Sequence, residues 1–145
     1  MKTLKSIIAG LAIILAATVA KADGTNNDAA LLTKNYTIST YINAMAHGKT
    51  NELNAVVDED AAFSMVRGKQ LVKFNKEEML DFLGQNKDVE QNCKITAASM
   101  DSNNDQTVVR VNMIYNDFVR SNYVTLTNTT DGWKITNVYS VFKGK

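Results

Sequence analysis

From Asp131 the chain reads Asp-Gly-Trp-Lys-Ile-Thr-Asn-Val-Tyr-Ser-Val-Phe, a turn dipeptide followed by aromatic and β-branched residues as far as Phe142. Such a run favours a strand, because branched and ring side chains pack well on a pleated surface. With Trp133, Ile135, Val138, Tyr139 and Phe142 on it, the strand cannot face water on both sides. The rest of the chain has to cover it. Alternation puts Trp133 and Ile135 on the covered side, with Asn137 and Tyr139 continuing that face unless a bulge reverses it.

The first residues are not part of that cover. Lys2 and Lys5 precede an uncharged run from Ser6 to Ala20, and Ala20-Lys21-Ala22 supplies a small-residue cleavage site. This is the pattern of a secretory signal peptide, and the run is shorter than the ~18–20 apolar residues of a membrane span. The expectation is a signal peptide at 1–22, a single domain at 23–145, and a secreted or periplasmic protein with no membrane contact after cleavage. The remaining chain holds 13 basic and 15 acidic residues, a balance of −2 in place of the +1 of the whole. No basic stripe calls for nucleic acid. Cys93 is the only cysteine, which excludes a disulfide framework and reads as a small hydrophobe on a strand.

Asp23 to Asn27 reads as a frayed leader, and Asn27 or Asp28 as the cap of a helix running to His47. Leu31, Leu32, Ile38, Tyr41, Ile42 and Met45 form its apolar stripe, and Gly48 ends it. Thr50 then caps a short helix burying Leu53, Val56 and Val57, which the acidic trio Asp58-Glu59-Asp60 closes. From Ala61 the period becomes two, with Phe63, Met65 and Arg67 on one face. A turn at Arg67-Gly68-Lys69 leads to a partner strand, Gln70 to Phe74. Asn75 and Glu78 make a capping box for a third helix, Lys76 to Asn86, burying Met79, Leu80, Phe82 and Leu83.

The remainder is strand. Val89 to Met100 carries Cys93, Ile95 and Ala97 on one face, and Thr107 to Tyr115 sets Val109, Val111, Met113 and Tyr115 inward against Arg110 and Asn112 outward. Val119 to Asn128 follows a tight turn at Asn116-Asp117. Helices followed by strands indicate an α+β fold, a curved antiparallel sheet wrapped around about three N-terminal helices.

These residues resemble the nuclear transport factor 2-like (cystatin-like) superfamily. The likeness rests on Ala46-His47-Gly48-Lys49, on Asp60-Ala61-Ala62-Phe63-Ser64-Met65 and on Asn75-Lys76-Glu77-Glu78-Met79. It ends in Tyr123-Val124-Thr125-Leu126 and Asp131-Gly132-Trp133-Lys134-Ile135. It is most similar to the small exported putative lumazine-binding and polyketide-cyclase-like branch. The resemblance implies a cone with a pocket between the first helix and the concave sheet face. Tyr41, Met45, Phe63, Met65, Met113, Tyr115 and Tyr139 are the candidates to line it.

Chemistry is sparse. His47 is the only histidine and sits where a cation suits the end of a helix. One His and one Cys in unrelated segments cannot build a His-rich zinc site, and Asp58-Glu59-Asp60 lacks calcium-loop spacing. No nucleophile-elbow, dinucleotide or C-x-x-C pattern occurs, so neither a metal nor a cofactor is called for. The expected activity is non-catalytic binding of a small aromatic or apolar ligand, or of a protein partner. The alternative, implied by the ketosteroid-isomerase-like relatives, is an isomerase, cyclase or dehydratase using Tyr and Asp in the cone. A homodimer through the open sheet face is a further expectation, with Arg110, Asn112 and Lys134 making that face polar.

Overall fold

The computed structural model describes residues 31–145. The signal segment, the leader and the caps expected at Asn27 or Asp28 lie outside the described residues. Among the described residues three helices, α1 (Lys34–His47), α2 (Leu53–Val56) and α3 (Lys76–Gln85), accompany six strands. The strands are β1 (Val57–Arg67), β2 (Gln70–Phe74), β3 (Lys94–Ser102), β4 (Gln106–Ile114), β5 (Phe118–Thr129) and β6 (Gly132–Gly144). They form one curved, open sheet in the order β2-β1-β6-β5-β4-β3.

Helix α1 starts later than its apolar stripe suggests. Thr33 is the cap, its hydroxyl accepting the Tyr36 amide at 3.1 Å. Leu31 is exposed, and Leu32 pairs with Gly132 at the foot of β6. The far end is as read: Gly48 adopts φ 64° and its amide bonds Asn43 O. Only glycine fits there, since a Cβ would stand 2.5 Å from Asp88 N and 2.7 Å from Val89 N. The helix is buried on nearly every side, and its hydroxyls turn to backbone for partners. Thr37 donates to Trp133 O at 2.6 Å and Ser39 to Tyr36 O at 3.0 Å.

The second helix is shorter than read and lacks a side-chain cap, so Asp58, Glu59 and Asp60 belong to β1 rather than to a turn. Glu59 receives Lys76 Nζ at 2.6 Å. The capping box of α3 is present, with Asn75 Oδ1 accepting the Glu78 amide and Glu78 Oε2 accepting the Asn75 amide, both at 2.9 Å. Met79 and Leu83 are buried, but Phe82, read as core, is 56% exposed.

Every ladder is antiparallel except β1–β6, which is parallel. The hairpin turns near 68, 104, 117 and 130 fix their own neighbours, whereas β1 and β6 meet through the fold as a whole. Along β4 the alternation is as read, with Thr107, Val109, Val111 and Met113 buried on the concave face. Along β6 it is interrupted. Leu126 pairs with Ile135 but Thr125 with Asn137, so one extra residue near Thr136 shifts the phase. Ile135, Val138 and Ser140 are the buried residues that follow, and Tyr139 passes to the other face beside Tyr123. The core joins this concave face to α1, α2 and α3 through Tyr41, Leu53, Val56, Phe63, Val111, Val124, Leu126 and Ile135.

Candidate functional site

Two adjoining cavities open where α1 and α3 meet the concave face. One, of about 240 Å³, is lined by Met45, Phe82, Leu83, Val89, Gln91, Met113, Tyr115 and Arg120, with Ala44, Gly48 and Asn86. The other, of about 180 Å³, is lined by Met45, Met65, Arg67, Phe74, Met79, Phe82, Leu83, Arg120 and Phe142. Met45, Phe82, Leu83 and Arg120 belong to both. The walls are thioether and ring, and the fold explains why. Met113 and Arg120 are cross-strand partners on β4 and β5, Arg120 pairs in turn with Phe142 on β6, and α1 and α3 supply Met45 and Phe82 from above.

Arg120 is the polar centre. Its Nε donates to Asn122 Oδ1 at 2.9 Å, its Nη2 reaches Ser140 Oγ at 3.4 Å, and the guanidinium lies 5.3 Å from the Phe142 ring centre. Ser140 Oγ donates to the same Asn122 oxygen at 2.7 Å. Asn122 is 0% exposed, and its Nδ2 has no partner. Burial pushes the Tyr41 phenol up to about 12, and the nearby Arg120 charge opposes that rise. The Tyr115 phenol is raised for the same first reason, with Arg120 again opposing. Tyr115 donates to Gln91 Oε1 at 3.0 Å and stacks on Phe118 with ring centres 4.5 Å apart.

Four of the seven residues expected to line a pocket do so: Met45, Met65, Met113 and Tyr115. Tyr41 and Phe63 are core residues, 2% and 4% exposed, and line neither cavity. Tyr139 is a correction, since the phase shift near Thr136 turns it to the convex face. The sequence reading passed over Arg120, Asn122 and Ser140. The only signal of the first two was polar residues at alternate positions of β5, which resembles a solvent face, and Ser140 on β6 gave none.

Neither cavity has Asp, Glu or His in its lining, so the carboxylate base of a ketosteroid-isomerase-like site has no counterpart there. His47 pairs instead with Glu90 at the surface. No group of three or more His, Cys, Asp or Glu suited to a metal occurs among the described residues. A third apolar cavity of about 160 Å³ lies between α1 and β3 to β5, and three of its polar groups, Lys34, Ser102 and Thr107, are joined in a chain. Lys34 Nζ reaches Ser102 Oγ at 3.1 Å and the Trp133 ring at 4.1 Å, and Ser102 bonds Thr107 at 2.8 Å.

Residues 31–140 match a family model described as "Putative lumazine-binding". No curated protein matches the chain. Among solved structures, a nuclear transport factor 2-like protein of unknown function from Silicibacter pomeroyi is similar at TM-score 0.57 and 15% identity, over 75% of this chain and 90% of that one. One from Shewanella baltica gives 0.57 and 12%, over 75% and 88%. A putative calcium/calmodulin-dependent protein kinase type II association domain from Thiobacillus denitrificans gives 0.56 and 9%, over 79% and 98%. At such identities the likeness establishes the fold alone, a curved α+β cone like that of these nuclear transport factor 2-like proteins.

Proposed function

Because the chain belongs to the putative lumazine-binding family, whose model spans residues 31–140, we propose that it holds a small aromatic molecule in the paired cavity without converting it. The observation that carries this reading is the lining itself. Met45, Met65, Met79 and Met113 face a space edged by the rings of Phe74, Phe82, Tyr115 and Phe142. Thioethers adapt to flat ring systems, and aromatic walls stack on them. Taken together the cavities reach the lower part of the range of small-molecule sites, roughly 300–1,000 Å³.

The test is a thermal shift and fluorescence titration with lumazine, a pteridine and riboflavin. A ligand at 100 times its dissociation constant adds about 2.7 kcal/mol and raises the midpoint by several degrees. If no compound of the panel shifts the midpoint or changes in fluorescence, the small-aromatic reading fails and a protein partner takes its place. Two further proposals go with it. Export after cleavage at Ala22 is read by the mass of the protein recovered outside the cytoplasm. A dimer through the convex face, where Asn112, Tyr123, Lys134 and Tyr139 stand, is read by light scattering at two concentrations.

A further inference from the structure

The geometry points to an acidic ligand: an aromatic carboxylate whose ring lies among the methionines and whose carboxylate is held by Arg120. This rests on the binding reading above and adds the charge of the occupant.

Arg120 is partly buried between two apolar cavities, and among the described residues no carboxylate forms an ion pair with it. Its contacts are the oxygens of Asn122 and Ser140 and the ring of Phe142. A guanidinium set among thioethers and rings without a counter-charge is costly to keep from water. The cluster around it has donors to spare. The single oxygen of Asn122 already accepts from both Arg120 and Ser140, while its buried Nδ2 has no acceptor. Arginine presents five N–H donors in a planar fork, most of which remain uncommitted here. What such a cluster lacks is an acceptor carrying negative charge. A carboxylate supplies two oxygens in the plane that the fork prefers. Of the other polar groups in the lining, Gln91 and Tyr115 are bonded to one another and Asn86 donates to Phe82 O. The charged side chains of the lining are therefore both cationic, the exposed Arg67 in the wall of one cavity and the half-buried Arg120 shared by the two.

A matched pair of probes isolates that contact. 2-Naphthoate and 2-naphthamide share a ring system and shape and differ in charge. Calorimetric titration of the protein is expected to show the acid binding at least tenfold more tightly than the amide. In Arg120→Gln the two affinities should converge, while Arg120→Lys should keep the preference at reduced affinity. Thermal unfolding of each variant without ligand checks its fold, and the wild-type comparison stands without any variant. Equal affinities in the wild type, failure of the acid to bind, or a preference that survives Arg120→Gln would each overturn the inference. If lumazine binds while acid and amide do not differ, only the charge requirement falls. If no compound binds at all, the binding reading falls with it.

Discussion

Leu32 and Gly132 lie backbone against backbone. The Trp133 amide donates to Leu32 O at 2.8 Å, and the Leu32 amide donates to Asp131 O at 3.1 Å. This parallel bridge docks the segment before α1 onto the foot of β6. A Cβ at position 132 would stand 2.4 Å from both Leu32 N and Leu32 O, at a φ of 96°. Gly132→Ala is therefore expected to lose about 2 kcal/mol or more in urea unfolding, from backbone strain and the displaced segment. Gly68, also at positive φ but with open space around it, should lose less on the same substitution. Equal losses at the two positions would show that the Leu32 contact contributes nothing.

Alkaline stability follows from Tyr41. Its phenol, raised by burial from 10.0 to about 12, stays protonated in the fold at pH values where the unfolded chain has lost that proton. Below pH 10 both states hold the proton and stability is at its full value. As pH rises from 10 through 12 the unfolded state binds fewer protons, so stability falls, by an amount of order 2–3 kcal/mol. Tyr41→Phe should flatten the unfolding free energy between pH 10 and 11.5. A slope unchanged from wild type would assign the alkaline loss to other groups.

Lys76 is 6% exposed although it begins a helix, where a cation is disfavoured by the helix dipole. Glu59 on β1 accepts its ammonium at 2.6 Å. Removing the acceptor leaves a mostly buried charge unpartnered, so Glu59→Ala is expected to cost about 1–3 kcal/mol. Replacing the lysine as well, in Glu59→Ala with Lys76→Met, should recover most of that loss, because the apolar stem keeps its packing. A double variant as unstable as the single one refutes the account.

Phe82 and Met113 line the same cavity from opposite degrees of burial, 56% and 1% exposed. Phe82→Ala should change folding stability by less than about 1 kcal/mol yet weaken the bound ring severalfold. Met113→Ala should cost about 2–5 kcal/mol through the void it leaves. Denaturant melts combined with titration of the best ligand separate the two effects. A Phe82 variant with unaltered affinity places the ligand elsewhere.

How far the sequence carried depends on whether a feature was local. The alternation of Val109, Val111 and Met113, the Asn75–Glu78 box and the Gly48 stop were readable because each is fixed by neighbours within a few residues. The helix start was misjudged because Leu31 and Leu32 fit a helical stripe, whereas a backbone pairing with residue 132 claims Leu32. Phe82 was assigned to the core because an apolar residue on a helix usually faces one, and here it rims an opening.

The candidate site was legible only in its apolar half. The inward faces of Met45, Met65, Met113 and Tyr115 follow from periodicity and the pocket from the family resemblance, but Arg120 and Asn122, on the face of β5 toward the cavity, look like the wet side of the strand. Only the cross-strand register, Met113 to Arg120 to Phe142, shows that it points inward. On β6 the three-residue step from Ile135 to Val138, in place of two, was the available sign of the bulge that displaced Tyr139.

The parallel ladder between β1 and β6 also bears on how the molecule reaches this state. Ser64 pairs with Tyr139, closing a loop of about 75 residues, whose ends cost about 4 kcal/mol of chain entropy to bring together. The meander β3 to β6 needs only short turns, so it can assemble by local contacts, and β1 with its hairpin then joins the open side of β6. The slow step expected in refolding is the meeting of these two halves. In pulse-labelled hydrogen exchange, amides of β4 and β5 should acquire protection before those of β1.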